Sequence, residues 1–263
     1  MRIVLGLEYD GSRFQGWQTQ PGGRTVQDAL QAALSAIACE PVSVTCAGRT
    51  DRGVHARGQV IHFDTRAERP DTAWVRGVNG HLPESVVVLW SRCVPESFHA
   101  RYGARARTYR YVLINRAVRP ALSARYAGWM HAPVDLASMR EASRYLIGQH
   151  DFSAFRSAEC QARTPVRTLH ELGIARAGDR IDFVLRANAF LHHLVRNLVG
   201  ALLHVGKGAR SPAWVLEVLR SHDRARAAPT FPPEGLYLES VEYAPSWGLP
   251  QAEPSPLAVP LEA

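Results

Sequence analysis

The first hundred residues alternate between short strands and amphipathic helices, and this order restricts the fold more than any other feature. Alternate residues from Ile3 to Tyr9 are apolar, which predicts a strand with one buried face. Thr25 and Asp28 have the spacing of a helix capping box. The further elements predicted in this half are a helix at 26–39, strands at 42–46 and 59–63, a helix at 74–82 and a strand at 85–90. This order favours an α+β sandwich with helices on one face of a largely antiparallel sheet.

The second half repeats this order of elements without visible sequence identity. The elements predicted there are a strand at 107–115, a helix at 136–148, a hairpin at 166–187 around Gly178-Asp179, helices at 191–203 and from 211 onward, and a strand at 235–243. We therefore expect two similar lobes, 1–103 and 104–245, followed by an irregular tail, 246–263. The lobes would meet along an arginine-rich segment and leave a positively charged cleft.

A polar stretch, Ala47 to Ala56, lies between two of the predicted strands. A polar loop held between strands is where rigid scaffolds often carry reactive groups. Asp51 stands at its centre, and Arg49 and Arg52 flank it closely enough to favour the charged carboxylate. Such a carboxylate suits a nucleophile that works beside a phosphate. A structural ion pair would use the same residues, so chemistry alone leaves both interpretations open.

The basic residues are concentrated in one part of the chain. The formal net charge is +7, and all but one of the basic residues are arginine. The segment from Arg92 to Arg125 contains eight arginines and one acid, Glu96, so it carries the equivalent of the whole net charge. A local basic block is typical of proteins that bind a polyanion, although a solvated charged surface is the alternative. Arg101, Arg105, Arg107 and Arg110 are the candidates for phosphate contacts.

Several classes of protein are disfavoured by the sequence. It has no run of eighteen apolar residues and no signal-peptide pattern at its start, so we expect a cytoplasmic protein without a membrane span. The four cysteines fit neither a zinc ribbon nor a disulfide framework, and Cys46 and Cys93 are expected to be buried thiols. His192 and His193 are expected on a helix, where neighbouring side chains diverge by about 100° and do not readily share one metal.

Six sequence blocks occur in an order and at a spacing that resemble the tRNA pseudouridine synthase A family. They begin with Tyr-Asp-Gly-Ser-Arg-Phe-Gln-Gly-Trp and include Gly-Arg-Thr-Asp-Arg-Gly-Val-His, Phe-His-Ala-Arg and His-His-Leu-Val-Arg-Asn. The blocks are spread over nearly the whole chain before Ser246, at 9–21, 48–55, 97–101, 107–111, 187–197 and 234–238. One position departs from the pattern, because Arg52 stands where the family usually has a small residue, often alanine.

The resemblance implies conversion of uridine to pseudouridine at positions 38, 39 and 40 of the tRNA anticodon stem-loop. It implies a homodimer that requires neither a metal nor an organic cofactor. Asp51 would be the catalytic nucleophile, and Arg196 would pair with it. Arg49 would brace the space left by the flipped base, Tyr109 would lie against the uracil, and Leu236 would pack beside it.

Two other functions compete with this one. An RNA-binding module without chemistry would use the same basic segment, but it gives no reason for Asp51, Arg49 and Arg196 to occur together. A hydrolase would need a second carboxylate, for which Asp64 is the candidate. Asp64 lies beyond an apolar strand that would carry it roughly 40 Å away if fully extended, so this interpretation ranks last.

Overall fold

A computed structural model of the chain describes residues 1–250, and these residues form two compact units. The first comprises Met1–Arg105 together with 237–250, and the second comprises Ala106–Leu236. The sequence interpretation instead kept 104–245 together. Among residues 1–250, no helix has the length and apolar character needed to cross a bilayer.

The described residues contain ten strands and five α-helices. The strands are β1 (Arg2–Tyr9), β2 (Thr45–Cys46), β3 (His55–Asp64), β4 (Val86–Val94), β5 (Ala106–Asn115), β6 (Gly128–Met130), β7 (Gly148–Asp151), β8 (Val166–Ala177), β9 (Arg180–Ala187) and β10 (Leu236–Glu242). The helices are α1 (Val26–Ala38), α2 (Val78–His81), α3 (Leu136–Arg144), α4 (Leu194–Gly206) and α5 (Ala213–Ser221). This composition confirms the predicted α+β class.

The sheet of the first unit has the strand order β4-β1-β3-β10, with β2 also paired to β3. β1 pairs with β3 and with β4 in antiparallel fashion, whereas β10 joins β3 in parallel, through Tyr237 and Leu238. This parallel pairing places a segment from the end of the described chain beside the strand that follows the polar loop. The short β10 therefore belongs with the first hundred residues.

Helix α1 covers one face of this sheet, and its cap is the one that the sequence predicts. The Thr25 hydroxyl accepts a hydrogen bond from the Asp28 amide, and the helix buries Leu30 and Leu34. A π-helical turn, Ala73–Gly77, leads into α2 and places Trp74 against Phe63, with their rings 5.2 Å apart. These aromatic and aliphatic side chains form the main core of the unit.

A second apolar cluster lies on the opposite face of the same sheet. It is built around Val4, Val60 and Phe98, with Trp247 and Leu249 packed against it. The ring of Trp247 meets that of Phe98 edge-on at 5.2 Å. Residues 246–250, the first part of the predicted irregular tail, are therefore packed, and 251–263 lie outside the described residues.

The second unit has the strand order β5-β9-β8-β7, with β6 parallel to β5. The predicted hairpin of β8 and β9 is confirmed, and Gly178 at its turn has a left-handed φ of 58°. Helix α4 is buried over most of its length and contacts α3, α5 and β5. At Gly206 a Cβ would come within 2.7 Å of the Met139 sulfur, so this glycine allows α3 and α4 to approach closely.

Two local predictions differ from the structure. The strand expected at 42–46 is reduced to Thr45–Cys46, because α1 side chains take the preceding amides: Val42 donates to Ser35 Oγ and Val44 to Gln31 Oε1. Cys46 is buried as expected, but the prediction for Cys93 is wrong. Cys93 is exposed, and it lies on β4, a strand at the edge of the sheet.

The stability of the first unit should depend on pH through His62 on β3. Its Nδ1 accepts a hydrogen bond from the Ala100 amide, and burial, together with nearby Arg2 and His99, lowers the pKa of His62 to about 4. Because the unfolded chain then binds more protons than the folded chain between pH 6.5 and 4, stability should be complete above pH 6.5. We expect it to fall by about 2 kcal/mol toward pH 4.

Urea unfolding between pH 7 and 4 measures this effect, and His62→Asn is the matched variant. The asparagine oxygen can accept the Ala100 amide without titrating, so the variant should lose stability less steeply than the parent chain between pH 6.5 and 4.5. Parallel pH curves for the two proteins would exclude His62 as the source.

Candidate active site

The polar loop of residues 48–54 is fixed at its start by a glutamine inside β3. The Ala47 amide donates to the Val60 carbonyl at 2.8 Å. The Gln59 side chain, which is fully buried, donates from Nε2 to the Gly48 carbonyl at 2.6 Å and accepts from the Gly48 amide at 3.4 Å. A buried amide side chain of β3 therefore serves as a clamp for the loop.

The segment that follows β1 holds the centre of the loop. Tyr9 Oη and Thr50 Oγ1 are 2.8 Å apart and buried, and the Trp17 amide donates to the Thr50 carbonyl at 2.9 Å. Thr50 is consequently turned inward. A Cβ on Gly11 would overlap the Val54 carbonyl, so only glycine allows this backbone approach.

A second glycine of that segment also supports the loop. Gly16 has a φ of +94°, and a Cβ there would come within 2.9 Å of the Thr50 carbonyl oxygen and 3.1 Å of the Arg52 nitrogen. Two sequence blocks that are separated by 26 residues are thus one packed structure. The first block, 9–21, supplies the support, and the second, 48–55, carries the side chains that are predicted to react.

The loop ends at a buried histidine. His55 Nδ1 lies 3.2 Å from both the Gly11 amide nitrogen and Asp10 Oδ1, and its ring stacks on Tyr237 at 4.7 Å. The sequence analysis assigned no role to Tyr9, Gln59 or His55. Gln59 was detectable as an uncharged polar residue at the start of the predicted strand 59–63. The pairing of Tyr9 with Thr50 depends on the fold.

Within this loop, exposure separates the side chains. Thr50 and Val54 are buried, Asp51 is half-buried, and Arg49 and Arg52 are exposed. The Val54 amide donates to the Asp51 carbonyl at 3.1 Å and closes the turn around the aspartate. The carboxylate is therefore carried by a backbone that is fixed on both sides.

The second unit places the predicted tyrosine and leucine in buried positions. Tyr109 lies on β5 with 8% of its surface exposed, and its ring meets Phe190 edge-on at 4.9 Å. Leu236 is 5% exposed, and its amide donates to the Pro233 carbonyl at 2.9 Å. The Tyr109 ring is therefore held by a neighbour from its own unit, and the backbone of Leu236 is fixed by a local hydrogen bond.

Arg196 lies in the first turn of α4, where a neighbouring segment fixes its guanidinium. Its Nε donates to the Phe231 carbonyl at 2.8 Å, and the Phe231 amide donates back to the Arg196 carbonyl at 3.3 Å. The next carbonyl, that of Pro232, accepts a hydrogen bond from the buried Tyr111 hydroxyl at 2.8 Å. Burial strongly raises the pKa of Tyr111, so this tyrosine remains a neutral donor.

A polar network anchors that segment to α4, and sequence reasoning missed it. The buried Asn197 side chain donates to the Phe155 carbonyl and accepts from Thr230 Oγ1 at 2.7 Å and from Arg224 Nη2 at 3.2 Å. Arg224 Nη1 also donates to the Ala228 carbonyl at 3.0 Å. The network fixes the backbone before Phe231 and so the carbonyl that orients Arg196.

The four arginines predicted to contact phosphate fall into two groups. Arg101 and Arg105 are exposed. Arg107 is buried and donates from Nη1 to the Asn188 carbonyl at 2.9 Å. Arg110 Nη1 lies 2.8 Å from Oδ2 of the fully buried Asp182. A buried carboxylate needs such a partner, so a phosphate would have to compete with Asp182 for Arg110.

The histidine pair is not helical, contrary to expectation. His192 and His193 precede α4, and His193 caps that helix with a left-handed φ of 64°. Their ring centroids are 4.0 Å apart. The side chains therefore do not diverge as on a helix, and the geometric argument against a shared ligand does not hold for them.

Asp64 is engaged far along β3 from the loop. Arg2 Nε and Nη2 donate to its two carboxylate oxygens at 2.8 Å each, and this pairing lowers the pKa of Asp64. β3 pairs with β1 in continuous register from Asp64 to Gln59, and the register shifts between Gln59 and Ala56, at the end nearer the loop. From His55 to Asp64 the strand spans roughly 30 Å. A two-carboxylate hydrolase site built from Asp51 and Asp64 is thereby excluded.

The family described as tRNA pseudouridine synthase matches this chain over residues 7–103 and 142–244. Among curated proteins, the tRNA pseudouridine synthase A of Aromatoleum aromaticum is 59% identical over 250 residues, covering 95% of each chain. That of Bordetella parapertussis is 58% identical over 254 residues, covering 96% of this chain and 94% of the relative. That of Dechloromonas aromatica is 55% identical over 250 residues, covering 95% of each chain.

Similarity to solved structures is weaker. A Cbf5–Nop10–Gar1 complex aligns with 76% of this chain and 45% of that chain, at 11% identity and a TM-score of 0.39. An archaeal box H/ACA Nop10–Cbf5 complex aligns with 86% and 60%, at 11% identity and a TM-score of 0.36. Both scores are too low to bear on the fold.

The contact between Gly11 and Val54 gives a direct test of loop support. Gly11→Ala should displace the loop and destabilise the chain by about 1–3 kcal/mol, because the new methyl group overlaps backbone that cannot yield. Amide hydrogen exchange should become faster in residues 48–54. Gly80→Ala is the control, since its Cβ meets nothing within 4 Å. Unchanged exchange in the loop of the Gly11 variant would show that this contact does not hold it.

Proposed function

The chain belongs to the tRNA pseudouridine synthase family, and we propose that it isomerises uridine to pseudouridine at positions 38, 39 and 40 of the tRNA anticodon stem-loop. Asp51 is the proposed nucleophile. The observation that carries this proposal is the half-buried aspartate on a loop whose backbone is clamped by Gln59, Tyr9 and Gly11. Such a loop presents a carboxylate in one fixed orientation, which catalysis by positioning requires.

The reaction rearranges bonds within one nucleotide. The bond between N1 of uracil and C1′ of ribose breaks, the base turns, and C5 bonds to C1′; C5 loses a proton and N1 gains one. Nothing is oxidised or reduced, so the proposal needs no redox cofactor or group carrier. The protein must supply a nucleophile, a rigid enclosure for the detached base and exclusion of water.

We assign the orientation of the carboxylate to Arg196. Its Nε is occupied by the Phe231 carbonyl, so the plane of the guanidinium is fixed before substrate arrives. A preset guanidinium that pairs with Asp51 would keep the carboxylate charged without a reorganisation step. The Asn197–Arg224–Thr230 network supports this by fixing the backbone that leads to Phe231.

Tyr109 and Leu236 are assigned to the base itself. Both are more than nine-tenths buried, and Tyr109 is held edge-on by Phe190. An aromatic ring and a leucine side chain can hold an extruded uracil while keeping water from C1′. Water at that carbon would hydrolyse the intermediate and leave an abasic site.

The target base must leave the RNA stack before it reacts, at a cost of a few kcal/mol. Arg49 is exposed and two residues from Asp51, so we assign it to the space that the base vacates. The exposed Arg101 and Arg105 are the phosphate contacts in this proposal. Arg107 and Arg110 have partners within the second unit, and we assign them a structural role in the pairing of β5 with β9. The resemblance further implies a homodimer that needs neither a metal nor an organic cofactor, and we include this in the proposal together with the cytoplasmic location expected from the sequence.

Replacing the proposed nucleophile tests the chemistry. Asp51→Asn should lower pseudouridine formation in unmodified tRNA by on the order of 10⁴-fold, while tRNA binding stays within a few-fold. The measurement is single-turnover release of tritium from C5-labelled uridine at positions 38 to 40.

Arg52→Ala is the matched control for Asp51→Asn. It alters the adjacent exposed residue, at a position where the family often has alanine, and should retain turnover. Turnover by Asp51→Asn at the rate of the Arg52 variant would remove the aspartate from the mechanism.

Binding should weaken as salt rises, because each arginine–phosphate contact releases counterions. Removing one contact should reduce the slope of log K against log salt by about 0.7–0.9. Filter binding between 50 and 200 mM salt should therefore give a shallower slope for Arg105→Gln than for the parent chain. Arg76→Gln, an exposed arginine outside the basic segment, should leave the slope unchanged. Affinity that does not vary with salt would contradict the assigned phosphate contacts.

A further inference from the structure

Tyr102 is an aromatic side chain that the proposed chemistry does not use. It lies in the middle of the basic segment 92–125 and is 77% exposed. Large aromatic side chains are usually mostly buried, so one exposed to this degree needs a reason. An irregular loop would be one such reason, but Tyr102 lies in a turn that is held by specific hydrogen bonds.

The turn of residues 99–103 is held by its own histidine. His99 Nδ1 accepts hydrogen bonds from the amides of both Arg101 and Tyr102, at 3.1 Å each. The Gly103 amide donates to the His99 carbonyl at 2.8 Å, and a Cβ at Gly103 would come equally close to that oxygen. Burial and the neighbouring Arg2 and Arg101 lower the pKa of His99, which keeps Nδ1 an acceptor.

The base of the turn is fixed to the core of the first unit. The Ala100 amide donates to His62 Nδ1 at 3.1 Å, and the Ala100 carbonyl accepts from the Tyr243 hydroxyl at 2.7 Å. Ala100 itself is fully buried in the cluster around Phe98. Tyr102 is therefore displayed by a rigid turn, and little conformational entropy would be lost on binding a ligand.

Tyr102 is also the outermost of three neighbouring rings, those of His62, His99 and Tyr102. The rings of His62 and His99 are 4.8 Å apart, and His99 stacks on Tyr102 at 4.4 Å with a 30° angle between the planes. The guanidinium carbon of Arg101 lies over the Tyr102 ring, 5.7 Å from its centre. A largely exposed ring with a cation against it can hold a nucleobase by stacking while the cation holds the attached phosphate by its charge.

We propose that Tyr102 and Arg101 bind an unpaired nucleotide of the tRNA other than the uridine that reacts, with its base stacked on Tyr102 and its phosphate on Arg101. This inference rests on the proposed function for its RNA substrate, and it uses none of the groups assigned to the chemistry. The surrounding charge favours RNA over a protein partner, because a single ring among arginines lacks the apolar area of a protein interface.

Tyr102→Ala should weaken tRNA binding about 5- to 100-fold at fixed salt, because one base–aromatic stack is lost. The single-turnover rate at saturating tRNA should not change. Tyr102→Trp and Tyr102→Phe should bind as the parent chain does, since both keep a stacking ring. Leu122→Ala is the control, because it removes a 97% exposed apolar side chain from the same basic segment. It should leave affinity unaltered.

A fully paired RNA duplex identifies the source of the effect. If an unpaired base stacks on Tyr102, the duplex should bind Tyr102→Ala and the parent chain equally. An equal loss for tRNA and duplex, normal tRNA binding by Tyr102→Ala, or a change in sedimentation of the variant without RNA would each overturn the inference. All binding is measured with Asp51→Asn protein as well, so that no turnover is needed.

The two proposals can fail separately. A parent chain that forms no pseudouridine, but binds tRNA in a Tyr102-dependent manner, would refute only the proposed reaction. A parent chain that forms pseudouridine while Tyr102→Ala binds normally would refute only the stacking site.

Discussion

The polar loop of residues 48–54 depends on one constraint, which is the close approach of the segment after β1 to the backbone of the loop. Gly11 faces the Val54 carbonyl without a side chain, and the Tyr9 hydroxyl meets Thr50. These contacts place the loop by backbone and buried hydroxyl groups, leaving the charged side chains outside. A loop fixed in this way presents Asp51 with little freedom, so the order that the proposed reaction needs would be supplied by folding rather than by substrate binding.

The second unit applies the same principle to an arginine. Arg196 is oriented by the Phe231 carbonyl, and that carbonyl is fixed by a network centred on Asn197, which is completely buried. Buried polar groups of this kind persist when each has a partner, and Asn197 uses both its nitrogen and its oxygen. The Arg196 side chain and the polar loop that carries Asp51 are each held from within their own unit, by hydrogen bonds that need no RNA.

Much of the fold could be predicted because its elements carry local signals. The cap at Thr25 and the hairpin at Gly178 are short-range features, and both were found. The prediction of a strand over the whole of 42–46 was wrong, because the first amides of this segment bond to side chains of α1. No local sequence pattern reveals those bonds. The prediction that His192 and His193 are helical was wrong for a similar reason, because His193 adopts a left-handed capping conformation that helical periodicity does not indicate. The clamp by Gln59 and Tyr9 joins residues that only the sheet register brings together.

Net charge is a poor guide to which arginines meet a polyanion. Arg107 and Arg110 belong to the basic segment, yet each donates to an acceptor of the second unit, and Arg2 and Arg224 are likewise engaged in structure. Desolvation explains this division, because a buried guanidinium without partners would be too costly to retain. The arginines that remain exposed, Arg101 and Arg105 among them, flank a rigid turn that displays an aromatic ring. Recognition of RNA would therefore depend on which charged side chains the fold leaves exposed, and the net charge measures that only loosely.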